Sequence, residues 1–283
     1  MKKVAVLGAT GMAGHVISLY LEENGFEVYR MSRSIVPSTK NAQIDASDFD
    51  KLNIWLKDIN PDFVINAIGI LPKEADARPD IAILLNSYLP HMLERVYMGK
   101  STKIIHLSTD CVFSGSSGGY TESSPTDGMT MYDRSKALGE ILNEKDLTFR
   151  MSIIGPDITI NGVGLFNWFM KQKGEINGFT KAIWNGVTTI ELSKAIVAAI
   201  KQNLTGLYHL TPQKNINKYD LLQLFKKEFA KQDVEIIPFD DFVVDKTLIN
   251  TRSDFDYQIP PYHEMIHEMA LWVKKYKGMY QYE

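Results

Sequence analysis

The 283-residue sequence contains one cysteine, Cys111. No intrachain disulfide can form, which fits a reducing compartment. No apolar run approaches the ~18 residues of a membrane-spanning helix. The net charge is −3 and there is no basic cluster or basic amphipathic stretch. Neither nucleic acid nor a membrane surface is therefore expected as a partner. Met1-Lys2-Lys3 runs into a short apolar stretch and then glycines, without the longer apolar segment and small-residue cleavage site of a secretion signal. The expected location is the cytoplasm. There is no internal repeat and no low-complexity tract, and the length allows a large core in one or two domains.

Residues 4–7 form a continuous apolar run, as a strand buried on both faces requires. Gly8, Gly11 and Gly14 follow at Gly-x-x-Gly-x-x-Gly spacing, with Thr10 and Met12 between them, and a helix is expected from about 15 to 23. Glycines between a buried strand and a helix let the backbone approach a pyrophosphate, and the helix N-terminus supplies N–H donors. A second strand is expected over 26–33. Its end carries Ser32 and Arg33, with Arg30 nearby, where a site for NAD usually has an acidic residue. Arg33 suits a 2′-phosphate, so NADPH is expected, with NADH as the alternative; the arginines also read as solvated loop charges. Ile44 and Asp45 suggest a short strand. Asp45, next to Ala46, suits an adenine amino group as well as it suits a cap for the helix over 49–59. A strand over 62–69 ends in Ala67, Ile68 and Gly69, small enough to leave room for a cofactor.

A helix is expected over 81–98, with Asn86 inside it either exposed or bonding a neighbouring loop. The strand at 103–107 runs into Ser108, Thr109, Asp110 and Cys111, hydroxyls and a carboxylate where an open α/β sheet keeps its chemistry. A Ser/Thr turn is the plainer alternative. Tyr132 and Lys136 sit four apart in a helix continuing to about 143, so phenol and ammonium share one face. Arg150 is an anomaly within an apolar strand over 147–155. Further helices are expected at 165–172, 191–202, 217–230 and 261–276, with strands at 187–190 and 207–211; the remainder of 235–283 reads as irregular. The fold class expected is α/β, a Rossmann-type doubly wound parallel sheet. Residues 1–155 form the dinucleotide-binding domain, with 186–212 returning to it. Residues 156–185 and 213–283 form a smaller α/β substrate-binding region.

These motifs in this order resemble the extended short-chain dehydrogenase/reductases, and within them the dTDP-4-dehydrorhamnose reductase family of nucleotide 4-keto-6-deoxysugar reductases. The resemblance rests on Gly8 to Gly14, Asn66 to Gly69, Ser108 to Phe113, Tyr132 to Lys136 and, more weakly, Arg150-Met151-Ser152. It implies catalytic roles for Thr109, Tyr132 and Lys136. Tyr132 would protonate the substrate oxygen. Lys136 would hold the nicotinamide ribose and keep the phenol acidic, and Thr109 would hydrogen-bond the oxygen. Asp110 and Cys111 would face the sugar. Family members often carry an aromatic residue at the position of Cys111, and related 4,6-dehydratases a glutamate. A UDP-2-acetamido-2,6-dideoxy-4-hexulose is therefore an alternative substrate, and dehydration is disfavoured. The expected partner is a nucleotide sugar; a homodimer stays open.

Beyond residue 155, Asn161, Phe166, Trp168, Asn185 and Arg252 are candidates for substrate contact, though any of them can be structural, and Trp168 reads first as core. Two rival readings exist. His263-Glu264-Met265-Ile266-His267 matches the zinc-protease pattern His-Glu-x-x-His, but no third ligand pattern follows and the stretch fits the polar side of an amphipathic helix. No metal is expected. The other rival is a regulatory or sensor subunit that binds NADP(H) without turnover; such proteins often lose the tyrosine or lysine that this chain keeps.

Overall fold

Alternate residues of the first strand, β1 (Lys3–Leu7), face opposite sides of a sheet. Val4 and Val6 enter one core, Ala5 and Leu7 the other. The computed structural model describes residues 1–159 and 162–282. After β1 come α1 (Met12–Glu23), β2 (Glu27–Ser32), β3 (Asn41–Gln43), α2 (Phe49–Ile59) and β4 (Phe63–Asn66). Two short helices, α3 (Pro72–Ala77) and α4 (Pro79–Ala82), lead through a π-helical stretch, Ile83–Tyr88, into α5 (Leu89–Tyr97). β5 (Lys103–Leu107), a 3-10 turn at Asp110–Val112, α6 (Met131–Leu138), β6 (Leu147–Arg150) and β7 (Ile153–Ile154) follow. Next are α7 (Gly164–Met170), β8 (Gly174–Phe179), β9 (Ala182–Trp184), β10 (Val187–Thr188), α8 (Thr189–Gln202) and β11 (Gly206–His209). The chain closes with β12 (Ile216–Asn217), α9 (Lys218–Glu228), β13 (Val234–Phe239), β14 (Val244–Asp245) and α10 (Tyr262–Lys275).

The main sheet is parallel, in the order β11-β6-β5-β4-β1-β2-β3. The winding direction reverses between β1 and β4. In an open α/β sheet that reversal leaves a crevice at the C-terminal strand ends, where ligands bind. No helix among the described residues is long and apolar enough to cross a membrane.

The expected elements differ in several places. The single helix over 81–98 is three consecutive pieces, α4, the π-helical stretch and α5, and Asn86 in the middle one is buried with its side chain engaged outside the helix. The short strand near 44 lies instead at Asn41–Gln43, and the helix at Tyr132 stops at Leu138 rather than near 143. The segment after 235 is not irregular: β13 pairs in parallel with β8 and β14 with β9. Val187 and Thr188 pair with β7, outside the main sheet, and helix α8 starts at once after them.

Arg150 ends β6 and is buried against Glu140, with Nη2 2.5 Å from Oε2 and Nε 2.9 Å from Oε1. Its Nη1 donates to His209 Nε2 at 2.9 Å, while His209 Nδ1 donates to the Ile249 carbonyl at 3.0 Å. The guanidinium stands 4.9 Å from the centre of the Phe113 ring. Burial, opposed by Glu122 and reinforced by the Arg150 charge, holds His209 neutral, at about 4. Removing one member of a buried ion pair strands the other. Arg150→Met should therefore cost about 3–5 kcal/mol in urea unfolding, and adding Glu140→Met should recover much of that loss.

Candidate active site

A cleft of about 300 Å³ opens at the crevice between β1 and β4. Gly8, Thr10 and Gly11 line one wall, Ala67, Ile68 and Gly69 the other, and Arg33, Asp45 and Ala46 its far end. A Cβ built on Gly69 would find its nearest neighbour 3.9 Å away, so the glycine leaves open room in the cleft. Gly14 is not on the wall. It lets α1 pack on the turn, since a Cβ there would sit 2.1 Å from the Gly8 carbonyl oxygen. Met12 opens α1 and approaches Gly164 instead of lining the cleft. Of the two arginines, Arg30 is paired with Glu22 at 2.6 Å, whereas Arg33 faces the cleft. Asp45 does not cap α2; Asp48 does, accepting from the Lys51 amide. The Ser47 amide and hydroxyl hold the Asp45 carboxylate below its usual range. Sequence reasoning passed over Ser34, whose hydroxyl lies 3.2 Å from that of Thr10, and Thr159 at the rim.

Helix α6 starts with a capping box: Thr130 Oγ1 accepts from the Asp133 amide and Asp133 accepts from the Thr130 amide, both at 3.1 Å. Asn86 joins this helix to the cleft. Its amide oxygen accepts from the Ile70 N–H at 2.7 Å, and its nitrogen donates to the Ile70 carbonyl and to Ser135 Oγ. Lys136 is buried, and its ammonium donates to the Leu107 carbonyl at 2.7 Å. Burial, opposed by the Glu140 charge, lowers it to about 8. Burial drives the Tyr132 phenol well above its ordinary range, and the Thr109 hydroxyl pulls it part of the way back. The phenol is thus a proton-carrying donor at neutral pH.

Thr109, Asp110 and Cys111 lie at the C-terminal end of β5 beside Tyr132. Thr109 donates to Asp110 Oδ1 at 3.1 Å and accepts from the Cys111 amide at 3.2 Å. Burial raises the Asp110 carboxyl, against the charges of Lys218 and Lys246. Burial and Asp110 push the Cys111 thiol up to about 12, so it stays protonated. Neither lysine was singled out in the sequence; both arrive from distant, weakly patterned segments.

The other candidates divide. Phe166 is core, ringed by Phe225, Phe229 and Tyr282. Trp168 is 42% exposed and lines a separate cavity. Asn185 exchanges two hydrogen bonds with the Leu248 backbone, and Arg252 ties Asp254 to the carbonyls of Thr205 and Leu207. Asn161 lies outside the described residues. On α10, His267 pairs with Glu228 at 2.8 Å and His263 faces Glu264. Among the described residues no three metal-ligating side chains converge.

The family follows from this arrangement together with the match of residues 1–246 to the RmlD substrate binding domain. The chain belongs to that family. It is similar to a dTDP-4-keto-6-deoxy-D-glucose reductase of Streptomyces niveus, 28% identical over 229 residues that span 77% of this chain and 76% of the other. It is also similar to methionine adenosyltransferase 2 subunit beta of Xenopus tropicalis, 22% identical over 260 residues, 87% of this chain and 78% of the other. A dTDP-4-dehydrorhamnose reductase from Bacillus anthracis strain Ames, solved in complex with NADP, superposes with a TM-score of 0.81 at 19% identity, covering 96% of this chain and 99% of that one. The shared fold is the Rossmann-like α/β fold of short-chain dehydrogenase/reductase-type proteins.

Arg33 is the cationic side chain at the far end of the cleft. Arg33→Ala should raise the dissociation constant of NADPH by roughly tenfold and leave that of NADH nearly unchanged, measured by fluorescence titration.

Proposed function

We propose that this protein is an NAD(P)H-dependent reductase of the 4-keto group of a nucleotide-linked 4-keto-6-deoxysugar, working in the synthesis of cell-surface polysaccharide precursors. One observation carries the reading. A helix anchored by buried Lys136 sets the protonated Tyr132 phenol beside Thr109 at the end of β5. On this reading residues 1–155, with 186–212, hold the cofactor, and 156–185 with 213–283 hold the sugar nucleotide.

The cleft fits a dinucleotide: Gly8, Gly11, Ala67 and Gly69 in its lining leave room for a pyrophosphate, and Arg33 offers charge to a 2′-phosphate. A bound nicotinamide supplies the hydride. The protein's part is then acid catalysis at the carbonyl oxygen. Tyr132 Oη donates its proton as negative charge develops there, and Thr109 Oγ1 turns from Asp110 to hydrogen-bond the same oxygen. Lys136 holds a ribose hydroxyl and, by its charge, favours the phenolate left behind. Asp110 accepts from a sugar hydroxyl. The Cys111 thiol, protonated at neutral pH, supplies no base for removing water from the sugar.

The similarity to a methionine adenosyltransferase subunit keeps a binding-only reading in view. Retention of Thr109, Tyr132 and Lys136 together favours turnover. With a 4-keto-6-deoxy nucleotide sugar, Tyr132→Phe should cut NADPH oxidation by about a hundredfold or more while leaving NADPH binding close to wild type. Undiminished turnover in that variant would sink the mechanism, and a wild-type protein inert toward a panel of such sugars would favour the binding-only role.

A further inference from the structure

The small sheet β12-β9-β14 brings two lysines toward one place. Lys218 opens α9 directly after β12, and Lys246 directly follows β14. Between them Trp184 ends β9, its indole N–H fixed to Ser152 Oγ at 2.8 Å. The Lys218 ammonium stands 4.7 Å from the centre of the Trp184 ring. Lys246 lies so close over Gly115 that a Cβ on that glycine would meet Lys246 Cγ at 2.7 Å. Both ammonium groups act on Asp110 and on Cys111. Burial lowers Lys218 to about 8, against the pull of Asp110. Two lysines thus approach one carboxylate and a protonated thiol. Beside Lys218 a cavity of about 520 Å³ opens, walled by Leu165, Trp168, Phe179 and Phe242. Flat aromatic walls suit a planar ring, and an ammonium at the cavity's edge suits an anion attached to it.

We propose that Lys218 and Lys246 form the seat for the diphosphate of a nucleoside diphosphate sugar, with its nucleobase in the aromatic cavity beside Lys218. This assignment rests on the nucleotide-sugar reading above and names the residues that select for it. Lysine binds phosphate as a point charge, and two such charges distinguish a diphosphate from a monophosphate. The Trp184 ring, 4.7 Å from the Lys218 ammonium, helps hold that charge at the cavity's edge.

Equilibrium titration of the full chain with UDP and dTDP, against UMP and dTMP, needs no turnover. Lys218→Met and Lys246→Met should each weaken diphosphate binding by roughly tenfold or more, weaken monophosphate binding clearly less, and leave NADPH affinity at the wild-type value. Lys218→Arg should restore most of the loss. Diphosphate binding that is unaltered in both variants overturns the seat. Equal loss of mono- and diphosphate, or a parallel loss of NADPH, overturns it as well, since either marks a structural role. A hexuronate, rather than the diphosphates, losing affinity in the variants assigns the lysines to a sugar carboxylate instead. A wild-type protein that reduces a 4-keto sugar nucleotide yet binds diphosphates no better than monophosphates refutes the seat and leaves the reductase reading standing. Lysine-dependent diphosphate binding without reduction of any 4-keto sugar does the reverse.

Discussion

The close contact between helix α6 and the π-helical stretch at Ile83–Tyr88 is the constraint on which the rest of the site depends. A Cβ on Gly139 would lie 1.8 Å from the Asn86 carbonyl oxygen, so only glycine allows the helix end to come this near. Ser87 Oγ donates to the Ser135 carbonyl and Asn86 to Ser135 Oγ, which fixes the helix along its length. Lys136 then reaches the Leu107 carbonyl at the end of β5, and Glu140 reaches Ser108. The inserted residue of a π-turn is an unstable local choice, and such turns persist where tertiary contacts compensate for them. Here Asn86 supplies the compensation, and the same side chain holds the Ile70 backbone beside the cofactor cleft. Cleft and proton donor are therefore set by one amide group.

Charge is distributed to match. Glu140 and Arg150 neutralise each other inside the sheet end, and His209 beside them stays uncharged. Lys136 and Lys218 are lowered by burial to about 8, so both remain largely cationic at neutral pH. Reduction of a carbonyl places negative charge on its oxygen in the transition state. Fixed cations in a partly desolvated site favour that charge more strongly than mobile water does. In the proposed mechanism the protonated Tyr132 neutralises that charge as it develops, and the protonated Cys111 thiol supplies no base.

What could be read from the sequence was what local chemistry determines. Helix α2 has the bounds expected of it, because Asp48 caps its start and Asn60, at φ 46°, ends it before Pro61. The glycine turn, the strands β1 and β5 and the Tyr132–Lys136 pair are equally local. The break in the 81–98 helix was not legible, since nothing near Asn86 announces a partner in Ser135, 49 residues away. Arg150 looked anomalous because Glu140, on the connection after α6, only comes beneath it in three dimensions. The strands β13 and β14 are short and pair with segments about 60 residues earlier, so their register carries no nearby signal. Lys218 and Lys246 were missed for the same reason: each looks like an ordinary surface lysine until the small sheet folds.

The region proposed to bind substrate shares one core with the main sheet. One apolar cluster runs from Val4, Val6 and α1 through Ile196 on α8 to Phe166, Trp184, Phe225 and Trp272. A hinge between the two regions would have to expose several of these large side chains, at roughly 1.5–3 kcal/mol each. A rotation of one region against the other is therefore disfavoured. The segment from Ser114 to Gly119 packs against β14, with the Gly115 carbonyl accepting from the Asp245 N–H. Its Gly115, Gly118 and Gly119 have positive φ, and Tyr120 behind it is buried and stacked on Phe113 with ring centres 4.2 Å apart. Further hydrogen bonds hold the loop: the Ser117 N–H donates to Tyr120 Oη and the Gly119 N–H to Thr247 Oγ1. Its close approach to Asp245 and Lys246 places this loop next to the proposed diphosphate seat.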